Sequence, residues 1–248
     1  MTTLAAIDPV DLGTILSIWA HPDDETYLAG GVMAAAVALG QRVVCVSASA
    51  GEHGTDDPST WPPERLGQVR RWEAAAAMAV LGVEEHHDLG LPDGALSDHD
   101  EDGRALVGRL IDEVQPDTIL TFGSDGRTFH PDHIAVHRWV TAEWAARDCT
   151  PRLLYAAVSV GLLERFLALQ EDLGIYMSDE RPVGVHGSDL AVHLCLTGPL
   201  LDRKLTALRA MATQTAGVMA AIPAATFAES VAEEAFVAAP SSLRAGGR

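Results

Sequence analysis

Positive charge is scarce in this chain: 17 Lys and Arg stand against 35 Asp and Glu, for a formal net charge of -18. Phosphate-rich partners need a cationic face, so nucleic acid and anionic membrane are excluded as partners. Cysteine is sparse as well. Cys45, Cys149 and Cys195 are scattered and odd in number, with two of them in apolar runs. That is no disulfide framework, and buried free thiols in a reducing compartment are expected. Away from the first strand the longest apolar stretch, "AAAAMAVLGV", falls far short of the roughly 20 residues of a membrane span. The first residues carry no Lys or Arg, and the apolar run at 14–20 has only strand length. No secretory signal is expected, and the protein is expected in the cytoplasm. A glycine-rich phosphate loop is missing too. The first strand is followed by "AHPDDETYLAGG", whose carboxylates would repel a pyrophosphate, which excludes a nucleotide-binding Rossmann protein.

What the chain does have is ample apolar content, 48% over 248 residues, enough for one large domain. Residues 14–20 read as a buried strand and Tyr27 to Leu39 as an alanine-rich helix. "RVVCVSAS" reads as a second strand, followed by the polar loop "AGEHGTDDPSTWPPE". A helix from Arg65 to Leu81 stops at Gly82, and a short strand-like piece ends in "DLGLPDG". "GRALVGRLIDEVQ" is an amphipathic helix halted by Pro116, "DTILTFG" a buried strand, and "HPDHIAVHRWVTAEWAARD" a helix with Pro131 in its first turn. "PRLLYAAVS" is a further strand. This alternation predicts an α/β, Rossmann-like layered domain with a mostly parallel sheet and helices on both faces. The core spans about 14–160. A C-terminal elaboration follows over about 161–239, with helices near 162–173, 199–215 and 227–238, an extended stretch near 183–196, and a frayed tail at 240–248.

The chemistry concentrates in two loops. "ILSIWAHPDDETYLAGG" places His21, Asp23, Asp24 and Glu25 where a strand gives way to a helix, the position at which open α/β sheets bind ligands. One acid would cap the helix; a histidine and two further acids are more than a cap requires. "TFHPDHIAVH" repeats the pattern after the strand "DTILTFG", with His130, Asp132, His133 and His137. Together the loops offer imidazoles and carboxylates, the ligand set suited to zinc, and Fe(II) is admitted by the same donors. His21, Asp24 and one histidine of the second loop make a three-ligand set with room for water. A remaining carboxylate, Asp23 or Glu25, is then free to take a proton, and the remaining histidine to stabilise an oxyanion or protonate a leaving group. His86, His87, His99, His186 and His193 lack a comparable cluster and are expected to be packed or exposed.

The order of "AHPDDE", "SAGEHG", "RRWEAAAAMAVLGV", "LGLPDG" and "HPDHIAVH" resembles the LmbE-like, or N-acetylglucosaminyl-phosphatidylinositol de-N-acetylase, family. The likeness runs over roughly 14–160 and continues weakly in "KLTALRAMATQT" and "EAF". It implies His21, Asp24 and His133 as zinc ligands, Asp23 as general base, His130 as electrostatic stabiliser and acid, and Asp132 tuning His130. It also implies substrate contacts by Arg70, Glu52 and Asp93. Three positions depart from family patterns: Thr128, where the thiol-biosynthetic deacetylases carry Tyr; Phe129, where many members carry Gly; and Met211, within what those deacetylases read as "A-H-A-T-Q". The resemblance implies a zinc-dependent hydrolase that removes an acyl group, acetyl by expectation, from the amine of a small N-acylated, glucosamine-like substrate or conjugate. Rival expectations are an amidase or tailoring deacylase of a larger secondary-metabolite or thiol conjugate, and a catalytically idle metal- or sugar-binding module. The retained Asp23 speaks against the last, since binding alone needs no base. Oligomeric state is left open, a homo-oligomer included.

Overall fold

The computed structural model describes residues 12–147 and 151–240. Cys149 and residues 241–248, most of the expected tail, lie outside them. Seven strands form one sheet: β1 (Ile15–Trp19), β2 (Val43–Ser47), β3 (Glu85–Asp88), β4 (Thr118–Phe122), β5 (Arg152–Ala157), β6 (Val192–Cys195) and β7 (Glu233–Ala238). Their order is β3-β2-β1-β4-β5-β7-β6. The first five run parallel, β7 pairs antiparallel with β5, and β6 pairs antiparallel with β7 at the far edge. β1, β2 and β4 are buried along their whole length, as strands covered on both faces must be.

The helices are α1 (Asp24–Ala38), α2 (Pro63–Leu81), α3 (Asp100–Val114), α4 (Pro131–Ala145), α5 (Val160–Asp172), α6 (Gly198–Ala210), α7 (Ala212–Ala221) and α8 (Ala224–Ser230). α1 packs with α2 and α6, and α3 packs with α4. Right-handed crossovers put the first group on one face of the sheet and the second on the other. From β1 the chain runs one way to β2 and β3, and the later strands β4 and β5 lie on the opposite side. The crevice between β1 and β4 is therefore the switch point where a ligand site is expected. Both histidine loops leave from it.

Two expectations for the C-terminal region are corrected. Residues 227–238 are not one helix; α8 ends at Ser230 and Glu233–Ala238 is strand β7. Ala and Glu favour helix locally, but Phe236 lies in the core and the segment bonds to β5 on one side and β6 on the other. Tertiary pairing outweighs local preference here. The helix expected over 199–215 is broken at buried Met211 (φ -97°, ψ 50°) into α6 and α7.

β7 also carries an ion pair that locks the elaboration onto the core. Lys204 Nζ of α6 donates to Glu234 Oε1 over 2.7 Å, with both side chains fully buried. The Glu234 oxygens also accept from the backbone N–H groups of Gly31 and Val32 in α1, each at 2.7 Å. The carboxylate is thus satisfied on both oxygens, which is what makes its burial tolerable.

Candidate functional site

His21, Pro22 and Asp23 form the turn between β1 and α1, and His130 is the N-cap of α4 just beyond β4. The first loop is held by its own backbone contacts. The His21 N–H donates to Asp24 Oδ2 (2.8 Å) and the Asp23 N–H to Glu25 Oε2 (3.0 Å). Glu25 also accepts from the Thr26 hydroxyl (2.8 Å) and is fully buried. Its carboxylate is turned back to cap the loop, so Asp23 is the acid left for proton transfer. Asp23 itself makes no side-chain cap. It sits at φ 124°, ψ -35°, a conformation that costs a non-glycine residue roughly 1–3 kcal/mol and is characteristic of functional sites.

Arg70 explains how that conformation is held. The residue, which the resemblance sets against substrate, is only 3% exposed. Its guanidinium donates to Pro22 O and Gly51 O, both at 2.6 Å, and to Asp23 Oδ2 at 3.3 Å. Gly51 lies at φ 61°, and a Cβ there would fall 2.1 Å from Arg70 Nη1. Only glycine lets the "SAGEHG" loop close onto the guanidinium. Arg70 is thus placed as a brace behind Asp23.

His133 is fixed on two sides. Its ring stacks on Phe122, the last residue of β4, with centroids 4.2 Å apart and planes 13° from parallel. Its Nδ1 lies 2.8 Å from Gly126 O. A carbonyl only accepts, so Nδ1 carries the hydrogen and Nε2 presents a lone pair. Gly126 must come close to do this: at φ 59°, a Cβ would lie 2.7 Å from His133 Cβ. Nε2 of His133 then faces His21 Nδ1 at 3.2 Å and Asp24 Oδ1 at 3.3 Å. His21, Asp24 and His133 each offer a ligand atom within 4.8 Å of the others.

The second nitrogen of His21 is held by two acids. Nε2 lies 3.0 Å from Asp93 Oδ1 and 3.3 Å from Asp132 Oδ2. Asp93 accepts in turn from the His53 N–H (2.8 Å), and Asp132 from the N–H groups of Gly94 (2.7 Å) and Leu96 (3.1 Å). Carboxylates in this position fix the ring so that its other nitrogen is aimed outward. Asp93, expected against substrate, lies on His21. Asp132, expected to tune His130, reaches His21 with its carboxylate and His130 through its backbone: the Asp132 N–H donates to His130 Nδ1 over 3.1 Å. A neutral His130 therefore carries its hydrogen on Nε2. His21, His130 and Asp132 form a second set of close donors, but the Asp132 oxygens are engaged by backbone N–H groups. The His21, Asp24 and His133 set has the freer lone pairs.

The electrostatics follow from burying many charges together. Burial alone would lower His21, yet its bonds to Asp132, Asp24 and Asp93 outweigh this and hold it well above its ordinary value. Burial drops His133 to about 4, keeping that ring neutral. Burial would raise Asp24, but its two imidazole neighbours, His133 and His21, bring it down to about 2. Asp23 is raised to about 7, chiefly by burial and against the pull of Arg70. Ionised carboxylates beside the neutral His133 ring suit a divalent cation, which would take the place of the His21 proton. Glu52 accepts from the Asp93 N–H (3.0 Å), and its other oxygen is buried without a partner. His137 bonds Phe122 O through Nδ1 (2.9 Å) and packs on Tyr155, so its part is structural.

Glu73, the acid that follows Arg70 in the R-x-x-E segment, is an anchor, a part the sequence did not assign to it. It accepts from the Thr213 N–H (2.9 Å) and hydroxyl (2.5 Å), while Gln214 Nε2 donates to Gly54 O (3.1 Å). The late "ATQT" segment is thereby tied to the "GEHG" loop at the rim. Sequence reasoning missed His193, which lies beside Cys195 and Glu233, and Cys195 is exposed where a buried thiol was expected.

A doubly wound sheet with a His/Asp donor set, a braced carboxylate and a neighbouring imidazole at its switch point has the parts that metal-assisted hydrolysis needs. The model of the family described as PIG-L, GlcNAc-PI de-N-acetylase, matches residues 16–144, and this chain belongs to that family. It is 31% identical over 227 residues to a 1D-myo-inositol 2-acetamido-2-deoxy-alpha-D-glucopyranoside deacetylase of Saccharomonospora viridis, covering 81% of this chain and 84% of that one. Among solved structures it is similar to N,N'-diacetylchitobiose deacetylase from Pyrococcus horikoshii, at TM-score 0.67 and 23% identity over 95% of this chain and 87% of that one. It is also similar to a 4-carboxy-2-hydroxymuconate hydratase from Pseudomonas putida, at TM-score 0.60 and 17% identity over 92% and 96% of the two chains. At such identities the likeness shows the fold alone, and one fold evidently serves more than one reaction. Among the described residues no helix is long and apolar enough to cross a membrane.

Proposed function

We propose that this protein is a zinc-dependent N-deacetylase, acting in the cytoplasm on a small sugar conjugate that contains N-acetylglucosamine. The observation that carries the reading is the convergence of His21 Nδ1, Asp24 Oδ1 and His133 Nε2 beside Asp23 and His130. Two imidazoles, His133 already neutral and His21 once a cation displaces its proton, and one carboxylate suit zinc, and Fe(II) as an alternative. A bound divalent ion would supply Lewis acidity to water and to the amide carbonyl.

The chain's own residues supply the rest. Asp23, held by Arg70, takes a proton from the attacking water. His130, with Nδ1 engaged by the Asp132 N–H, directs Nε2–H to the carbonyl oxygen as it becomes anionic. Asp23, once it carries the water's proton, is suited to pass it to the departing amine. Asp93 and Asp132 hold His21 in the orientation that aims Nδ1 at the cation. Glu52, with one buried oxygen unpaired, is suited to accept from a sugar hydroxyl.

The substrate class draws on the relatives, whose names specify an N-acetylated glucosamine joined to inositol. Thr128 and Met211 depart from what the resemblance implies for the thiol-biosynthetic deacetylases, so the test uses a panel. Zinc-reconstituted protein is offered N-acetylglucosaminyl-inositol, diacetylchitobiose and larger N-acyl glycoconjugates, and free amine and acetate are measured. Stoichiometric release of both from at least one sugar conjugate is expected. No release from any N-acyl compound by metal-loaded protein would overturn the reading.

A further inference from the structure

A second cluster of ligand-type side chains lies at the β6 edge of the sheet, separated from the β1–β4 crevice by β5 and β7. His193 and Cys195 are two residues apart on the edge strand β6 and so share one face of it. Cys195 pairs in register with Glu233 of β7, and His193 pairs with Ala235. Directly opposed residues of an antiparallel pair lie on the same face, so all three side chains project together. Their ligand atoms lie within 4.8 Å of one another.

The finer distances come near those of a coordination shell, with the sulfur a few tenths of an ångström wide of it. His193 Nε2 lies 3.3 Å from Glu233 Oε2 and 3.9 Å from Cys195 Sγ. Tetrahedral zinc, with its usual bond lengths, sets neighbouring N, O and S ligands about 3.3–3.6 Å apart. Hydrogen bonding explains the arrangement poorly. One ring nitrogen has a single hydrogen or a single lone pair, yet Nε2 faces two groups. The other carboxylate oxygen, Glu233 Oε1, is buried without a hydrogen-bond partner. Such an atom is costly to bury unless something else satisfies it.

We propose that His193, Cys195 and Glu233 form a second, non-catalytic site for a borderline-soft divalent transition metal, Zn²⁺ foremost. Imidazole and thiolate donors favour zinc, cobalt or copper over magnesium and calcium. Cys195 is exposed and His193 part-exposed, which leaves the fourth position to water. The ion would clip the edge strand β6 to β7, whose opposite face carries Glu234 and its bonds to α1. This site is independent of the proposed deacetylase chemistry.

Cobalt(II) distinguishes the two sites, because the His21, Asp24 and His133 set contains no sulfur and only the β6–β7 site can give thiolate-to-cobalt charge-transfer absorption. Full-length apo-protein is titrated with CoCl₂ under reducing conditions. A thiolate band that saturates at about one equivalent per band-forming site and disappears in Cys195→Ser is expected. His193→Ala and Glu233→Gln should weaken the band-forming affinity by at least about 10-fold, the low end of the cost of disturbing even the groups behind metal ligands. Excess Mg²⁺ should not displace the ion, and Zn²⁺ should. Circular dichroism in chelator verifies that each variant is folded. A wild-type protein with no thiolate band, or a band that survives in folded Cys195→Ser, would overturn the proposal.

Discussion

His133 Nε2 lies 3.2 Å from His21 Nδ1, although 112 residues separate the two in the chain. Each ring is locked from behind, His133 by Gly126 O and the Phe122 face, His21 by Asp93 and Asp132. Neither can turn away without abandoning those partners. Holding two ring nitrogens so close, with Asp24 Oδ1 beside them, is the arrangement a cation requires.

The first prediction is that His21→Ala, Asp24→Ala and His133→Ala each lose one divalent ion per chain. The comparison belongs in a Cys195→Ser background, so that an ion at the sheet edge is not counted. Elemental analysis after gentle purification with zinc supplied is the measurement. A background protein that stays metal-free, or a variant that binds as tightly, would contradict the assignment.

Asp23 should show opposite effects on activity and stability. Asp23→Asn is expected to keep the metal and lose about 100- to 10,000-fold in turnover, the usual worth of a positioned proton acceptor. Asp23→Gly should be as inactive, yet more stable by about 1 kcal/mol, since glycine adopts φ 124° without the strain. Urea denaturation measures the second effect. A destabilised Asp23→Gly would mean that the bond to Arg70 outweighs the backbone cost.

Much of this site was readable in the sequence because its parts are local. Each loop carries its histidines and acids within a few residues, directly after a run that reads as a buried strand, and β1 and β4 proved to be neighbours. The partners brought in by tertiary structure were not readable. Nothing local says that Glu25 folds back on the Asp23 N–H, that Asp93 and Asp132 share one nitrogen of His21, or that Arg70 is buried. The same limit explains the lapse at 227–238. "AEEAF" has the composition of a helix, and only its pairing with β5 and β6 makes it a strand. His193 was passed over because its companions are two residues away and across a strand pair, a pattern visible only once the register is known.

Lys204 tests how the elaboration is held. Lys204→Ala leaves the Glu234 carboxylate fully buried with only the α1 N–H groups as partners, and breaking a buried pair in this way costs roughly 3–5 kcal/mol. Equilibrium unfolding should register that loss. A change below about 1 kcal/mol would show that water or a rearranged side chain replaces the ammonium.

Asp93 and Asp132 should act on the metal without touching it. Asp93→Asn and Asp132→Asn are each expected to lower affinity at the catalytic site by about 10- to 100-fold, through the loosened His21 ring. Competition against a chelator of known affinity reads this directly. If Asp93→Asn leaves affinity unchanged and raises only the Michaelis constant, Asp93 contacts substrate, as the sequence resemblance implied.

His130 separates an enzyme from a binding module on the same scaffold. Its Nδ1 is occupied by the Asp132 N–H, which leaves Nε2–H as its working end. The preceding Phe129 sits in the left-handed region at φ 61°, so the turn that delivers the ring is itself strained. A donor that acts only as charge develops on the carbonyl oxygen lowers the barrier more than it improves substrate affinity. His130→Ala should therefore lose about 100- to 1,000-fold in kcat, roughly 3–4 kcal/mol, with little change in KM. Metal content should stay at the wild-type level, in contrast to His133→Ala. Loss of metal in both variants would make His130 a ligand, bringing the His21, His130 and Asp132 set into play. A variant with full kcat and only a raised KM would reduce the ring to holding substrate, and the oxyanion role would pass to another group.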